Sequence, residues 1–313
     1  MTQSPFEFSF DNKRYHTLNY YNRTRFGCKV HKAALDCGFT CPNIDGTKGV
    51  GGCIFCDGGS GYFTAPQLLV TEQLKAELER LRVKHGYHVR VIAYFQANTN
   101  TYAPISRLRE LYLSVLDFPE VCGISIGTRA DCLPDDVLAL LSELNERTAL
   151  TVELGMQTMH EPTIRLINRC CTHEEFTNGY FKLKERGIRT CLHIINGLPY
   201  ETPEMMLATA REVTRLNPEA VKLQMLHVIK GTALEELYAS GKMKLLSREE
   251  YIDVIVRQLE LLPPQTVIER ITGDGDKSKL IAPLWSADKL ATLGGIDKRL
   301  AQLDTWQGKL YNK

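Results

Sequence analysis

The chain has 313 residues, 24% of them charged and 43% hydrophobic, with a net charge of +1. That length suits one large α/β domain with a short appendage. No apolar run reaches the roughly 18 residues of a membrane span, and near-neutrality excludes a globally basic nucleic-acid binder while leaving local patches open. The opening MTQSPFEFSFDNKRYHT lacks a basic stretch followed by an apolar one, so no secretory signal is expected and the location is expected to be cytoplasmic. In that reducing compartment the ten cysteines need an explanation other than disulfides.

In chain order, a basic and aromatic group comes first: Lys13, Arg14, Arg23, Arg25, Lys29 and Lys32 among Tyr15, Tyr20, Tyr21 and Phe26. It reads either as a solvated basic face or as a surface for phosphates and stacked bases. Short β-branched runs then alternate with longer amphipathic stretches. Strands are expected at Cys28 to Leu35, Val89 to Phe95, Val121 to Thr128, Leu150 to Gly155, Thr190 to Ile195 and Ala220 to Leu226, with Thr266 to Ile271 as an extra. Helices are expected at Gln67 to His85, Pro104 to Leu116, Pro134 to Arg147, His173 to Arg186, Pro203 to Leu216 and Arg248 to Leu262. Six βα units predict an α/β fold, a partial (β/α)6 TIM-like barrel over residues 28–262. An N-terminal extension (1–27) and a C-terminal extension (263–313), with a short polar helix from Ile296 to Trp306, complete the expected organisation.

Four cysteines, Cys37, Cys41, Cys53 and Cys56, fall within twenty residues just after the first strand. Glycines and a Pro-Asn turn let this loop fold around a metal, and thiolates favour zinc or iron–sulfur centres. One arrangement is a closed zinc knot of all four thiolates in a non-catalytic binding protein. The other is an open-site cluster, which suits a loop leaving the C-terminal end of a barrel strand, where active sites form in such folds.

This loop resembles the cluster loop of the radical-SAM superfamily, in particular its Elp3-like branch, where the common Cys-x3-Cys-x2-Cys is stretched to Cys-x11-Cys-x2-Cys. Here that spacing is met by Cys41, Cys53 and Cys56. Cys37 and Cys41 also satisfy Cys-x3-Cys, so Cys37 is an alternative first ligand; Cys41 is favoured. The resemblance implies a [4Fe-4S] cluster held by three thiolates, with S-adenosyl-L-methionine on the fourth iron. It further implies reductive cleavage to a 5'-deoxyadenosyl radical and a flavodoxin or ferredoxin as electron source. Phe55 stands where the superfamily carries an aromatic residue near the adenine.

Polar residues at later strand ends face the cavity in a barrel of this kind. They include Gln96 after the second strand, Thr128 and Asp131 after the third, and Glu153 and Gln157 on the fourth. By resemblance, Glu153 and Gln157 contact the ribose or methionine, Arg169 the methionine carboxylate, and Asn196, Gly197 and Leu198 the adenine through their backbone. His193 is a candidate cofactor contact, although it and His227 read first as hydrogen-bonded interior residues. Lys222 on the sixth strand needs a partner if it points inward, either Glu153 or an anionic substrate group, and is a candidate catalytic group. Cys132, beside Asp131, is the extra cysteine placed to reach the site. Cys28, Cys122, Cys170, Cys171 and Cys191 read as packed small residues.

Kinship with the Elp3 radical domain implies tRNA as a possible substrate, through the 5-aminomethyl-type side chain of wobble uridine. With about fifty residues after the barrel, no acetyltransferase domain is expected. A small metabolite is the alternative substrate within the same chemistry.

Overall fold

The computed structural model describes residues 6–58, 64–273 and 275–311. The end of the glycine-rich loop, residues 59–61, lies outside these.

The first helix, α1 (Leu18–Phe26), was not expected, because its sequence LNYYNRTRF buries only Asn22 and has no apolar stripe. Its ends are nevertheless well defined. Thr17 accepts a bond from the Tyr20 N–H, and Gly27 closes the helix at φ 71°. There follow β1 (Val30–Leu35), α2 (Val70–His85), β2 (Arg90–Phe95), α3 (Ile105–Ser114), β3 (Val121–Thr128), α4 (Asp135–Arg147) and β4 (Ala149–Gln157). Next come α5 (Glu161–Leu166), α6 (His173–Lys184), β5 (Arg189–Asn196), α7 (Pro203–Leu216), β6 (Ala220–Met225), β7 (Val228–Ile229) and α8 (Ala233–Ala239). The chain ends with α9 (Arg248–Leu261), β8 (Val267–Arg270), β9 (Leu280–Ala282), a 3-10 turn at Leu284–Ala287 and α10 (Lys289–Gln302).

Seven parallel strands form one sheet in the order β1-β2-β3-β4-β5-β6-β8, an open, partial barrel with helices on its outer face. The six expected units are present, and the extra strand at Thr266 to Ile271 extends the sheet as β8. The tail helix starts at Lys289, earlier than expected, because the Asp288 carboxylate caps the Ala291 N–H at 3.0 Å. The small antiparallel pair β7-β9 stands apart, its strands too short to leave a period in the sequence.

Alternation along the strands sorts side chains to two faces. On β4, Val152, Leu154 and Met156 are fully buried in the core beneath the helices, whereas Thr151, Glu153 and Gly155 face the concave side. On β6, Val221 and Leu223 go to the core and Lys222 and Gln224 to the concave side. Helix α7 shows the matching stripe, burying Met206, Leu207, Ala210, Val213 and Leu216. The apolar core therefore lies between sheet and helices, and the inside of the curve is left for polar chemistry.

The N-terminal basic group closes the opposite end of this curve. Lys13 pairs with Asp297, Arg14 with Asp304 at 2.9 Å, and Tyr15 is buried. Tyr21 sits under the Arg189 guanidinium, 4.7 Å from its ring centre. Lys32 points inward to Glu153 and Glu269. Only Arg23, Arg25 and Lys29 of the six cations stay exposed. The group is thus split: Lys13, Arg14 and Lys32 are paired within the fold, and Arg23, Arg25 and Lys29 form a solvated basic face.

Candidate active site

A cavity of about 370 Å³ occupies the C-terminal end of the curled sheet. Cys41, Cys53 and Cys56 line it together with Phe55, Gln96, Thr128, Asp131, Glu153, Gln157, Arg169, His193 and Lys222. Of the expected positions, Cys37, Cys132, Asn196, Gly197 and Leu198 are not in its lining. Cys37 packs against the main core near Asp36, Arg107 and Tyr112. Gly197 turns the chain at φ 84° beneath Leu246.

The eleven residues between Cys41 and Cys53 are coiled tightly, which brings distant thiols to one place. The Cys41 carbonyl accepts from the N–H of Ile44 (2.8 Å) and Asp45 (3.2 Å), and the Pro42 carbonyl from Lys48 (2.8 Å) and Gly49 (3.2 Å). The Gly52 N–H reaches back to the Asn43 carbonyl at 2.8 Å. Neighbouring elements then pin the loop. Asn168 donates to the carbonyls of Val50 (3.1 Å) and Gly52 (2.8 Å), Lys48 pairs with Asp131 at 2.8 Å, and the Leu234 N–H holds the Ile54 carbonyl at 2.8 Å.

The donor set fits a cluster better than a single ion. With Cys37 turned to the core, the four-thiolate zinc knot is not formed. Among the described residues no three His, Cys, Asp or Glu groups converge on one metal position. Three thiols in one cavity lining suit a cluster, whose irons each take a thiolate. Burial first, then the neighbouring Cys56 and Cys41, push the Cys53 thiol up to about 12, with the Arg129 guanidinium opposing them. The three thiols thus share one electrostatic environment, and iron would hold them as thiolates.

Arg129 was not singled out from the sequence. It grips Asp131 with two bonds of 2.9 and 2.8 Å and also donates to the carbonyls of Arg169 (2.8 Å) and Cys170 (3.1 Å). Asp131 is therefore spent on Arg129 and Lys48, and that pairing holds its carboxyl below the ordinary range against the effect of burial. Arg169 is only 3% exposed; its Nε donates to the Cys171 carbonyl at 2.8 Å and its Nη1 to Met156 and Thr158. Among the described residues neither Nη2 of Arg169 nor the buried Nε2 of Gln96 has a hydrogen-bond partner. Thr128 bonds Thr101 at 2.6 Å, and Gln157 (φ 56°) folds its amide nitrogen back to the Gly155 carbonyl at 2.8 Å. Cys132 lines a neighbouring cleft beside Asp131, while Cys171 reaches the main cavity.

Beneath the thiols the floor is a buried ion network. One Glu153 oxygen accepts from Lys32 (2.7 Å) and Ser125 (2.6 Å), the other from Lys222 and from His193 (2.7 Å). Lys32 continues to Glu269 at 2.8 Å, which takes Arg189 at 3.0 Å. Every Glu153 oxygen is thus occupied by protein, so a bond to ribose or methionine would have to displace one of these donors. Lys222 is anchored on Glu153 with its ammonium 4.8 Å from the Tyr94 ring centre. His193 is an interior hydrogen-bonded residue, pushed down by burial and by Lys222.

An open parallel barrel with three thiols at the mouth of its strands defines a cluster enzyme of the radical type, and the family comparison agrees. The model of the radical SAM superfamily matches residues 46–213, and that of a radical-SAM C-terminal domain matches residues 218–302. The chain belongs to the radical SAM superfamily, an enzyme family that uses a [4Fe-4S] cluster and S-adenosylmethionine. It is 48% identical over 318 residues to YtqA of Bacillus subtilis (strain 168), covering 100% of this chain and 98% of that protein. Elongator complex protein 3 of Homo sapiens is 30% identical over 156 residues, 49% of this chain and 28% of that protein. Among solved structures, the archaeal Methanocaldococcus infernus Elp3 lacking residues 1–46 superposes with a TM-score of 0.66 at 18% identity, over 89% of this chain and 64% of that one.

The bound cluster and S-adenosylmethionine supply a carbon radical able to take a hydrogen atom from substrate. The protein's own task is to hold the thiols, exclude water and set the cluster's electrostatics. Asn43, fully buried, donates from Nδ2 to the Cys53 sulfur at 3.7 Å and to the Asn168 carbonyl. Gly49 makes room for it, since a Cβ there would lie 2.3 Å from the Asn43 Oδ1. An N–H directed at a ligand sulfur favours the more negative, reduced cluster. Asn43→Ala is therefore expected to lower the cluster's reduction potential at unchanged iron and sulfide content; an EPR-monitored redox titration with unchanged midpoint would contradict this.

Proposed function

We propose that the enzyme remodels the 5-aminomethyl-type side chain of wobble uridine in tRNA, such as 5-carboxymethylaminomethyluridine, by abstracting a hydrogen atom from it. The observation that carries this reading is the barrel and sequence shared with Elp3. The cavity supports it, because the three thiols share its lining with polar side chains from the strand ends. Cys41, Cys53 and Cys56 are the proposed cluster ligands, with Arg169 Nη2, Gln96 and Phe55 facing S-adenosylmethionine. Flavodoxin or ferredoxin is the proposed reductant, and the cytoplasm the proposed location.

A small-metabolite substrate is the rival, and one observation favours it: half of the N-terminal cations, Lys13, Arg14 and Lys32, are paired with carboxylates of the fold. Incubation of reconstituted enzyme with S-adenosylmethionine, reductant and tRNA, followed by mass spectrometry of the nucleosides, is expected to show a changed 5-substituted uridine. An unaltered nucleoside profile in that reaction and in a strain lacking the gene would defeat the tRNA reading. Retention on tRNA is expected to weaken steeply with salt, as phosphate contacts require.

A further inference from the structure

The cavity wall farthest along the chain from the cysteines is built by the end of β6 and the loop after β8, and none of the assignments above uses it. His227 lines this wall. Its ring occupies space left by two glycines: a Cβ on Gly273 would lie 2.4 Å from the ring Cε1, and one on Gly275 3.3 Å from Nδ1. His193 spends a ring nitrogen on Glu153, but among the described residues His227 has no hydrogen-bond partner. Burial, and then nearby Lys289, push its pKa down to about 4, so at neutral pH it is an uncharged imidazole with a lone pair to offer.

Asp276 lines the same wall, one residue beyond Gly275. Its Oδ1 accepts from the Ser278 Oγ (2.7 Å) and N–H (2.9 Å), and these bonds hold the carboxyl below its ordinary range. The imidazole lone pair and the ionised carboxylate can both accept from a protonated amine, with Lys289 near the first and Lys279 near the second. Arg270, on β8, lines the wall as well, and its several N–H groups suit a carboxylate.

We propose that His227 and Asp276 form a subsite for a protonated amine of the substrate, with Arg270 taking a carboxylate carried next to it. The cavity then selects an amino-acid-like side chain, a secondary ammonium one carbon from a carboxylate. This rests on the substrate reading above and names the residues that recognise the group.

The test uses the full chain with its cluster reconstituted. His227→Gln and Asp276→Asn are compared with wild type for iron and sulfide content and melting temperature, to show that the fold is kept. KM and kcat for 5'-deoxyadenosine formation are then measured with tRNA carrying 5-carboxymethylaminomethyluridine and with tRNA carrying 5-carboxymethyluridine, which lacks the amine. Loss of a charged hydrogen bond is expected to raise KM for the amine-bearing tRNA about 10- to 100-fold in Asp276→Asn, with a much smaller change for the other. Equal effects on both tRNAs, or none on either, overturn the subsite. If neither tRNA stimulates wild type, the tRNA reading falls, and N-methylglycine becomes the probe, followed by saturation-transfer NMR. Binding to wild type that is lost in Asp276→Asn upholds the subsite; no binding to wild type, or binding kept in the variant, overturns it.

Discussion

Replacing Cys41, Cys53 or Cys56 by alanine is expected to abolish 5'-deoxyadenosine formation, a fall of more than about 100-fold, whereas Cys37→Ala retains it. Loss of a ligand exceeds the 10- to 100-fold typical of losing a group that only supports one. The distinction between the cysteines comes from packing. Cys37 faces the core beside Tyr112, while the other three share the cavity. Chromatography of the quenched reaction, with iron content measured for each variant, checks it. Retained activity in Cys41→Ala together with its loss in Cys37→Ala would reverse the choice of first ligand.

The second large effect lies in the floor. Glu153→Ala removes the one carboxylate that Lys32, Lys222 and His193 share. Lys222 is left buried without its counter-ion, a situation that costs about 3–5 kcal/mol. In a protein of this size that corresponds to a fall in melting temperature on the order of 10 °C. Lys222→Met is milder, because Glu153 keeps Lys32, His193 and Ser125. Thermal unfolding followed by circular dichroism distinguishes the two; equal melting temperatures would show that the network adds nothing.

The same network sets an acid limit. Burial raises the carboxyls of Glu153 and Glu269, but the lysines and Arg189 outweigh it, holding Glu153 well below the ordinary range and Glu269 at about 2. Folded-state values below the unfolded one mean stabilisation that is complete above the ordinary value of 4.5 and is lost as pH falls from there towards 2. In Glu153→Ala the decline of stability below pH 4.5 should be shallower than in wild type.

The parallel strands were legible as short runs with apolar residues at alternate positions, Ile124 and Ile126 on β3 and Leu192 and Ile194 on β5, all buried in the core. Helix α1 was not, since its polar sequence carries no period and its place is set by contacts with β1 and β8. The short α5, only six residues with Pro162 in its first turn, gives too little pattern to read. Cysteine spacing revealed the thiols. The groups that serve them were hidden for a physical reason. Asn43 is an ordinary loop residue until the fold sets its amide against Cys53 and Asn168, and Arg129 is one more polar strand-end residue until Asp131 and the carbonyls of 169 and 170 surround it. His227 reads as an interior histidine, and only the later glycines at 273 and 275 reveal the space cut for its ring. The pairing of Lys13, Arg14 and Lys32 was not legible, because their partners Asp297, Asp304 and Glu269 come from the far end of the chain.

The most direct test of the cluster assignment is anaerobic purification with iron and sulfide analysis, followed by reduction with dithionite in the presence of S-adenosylmethionine and quantification of 5'-deoxyadenosine. A brown protein with about four irons and four sulfides per chain that releases this nucleoside is the expected result. A colourless protein that carries zinc and leaves S-adenosylmethionine intact would contradict it.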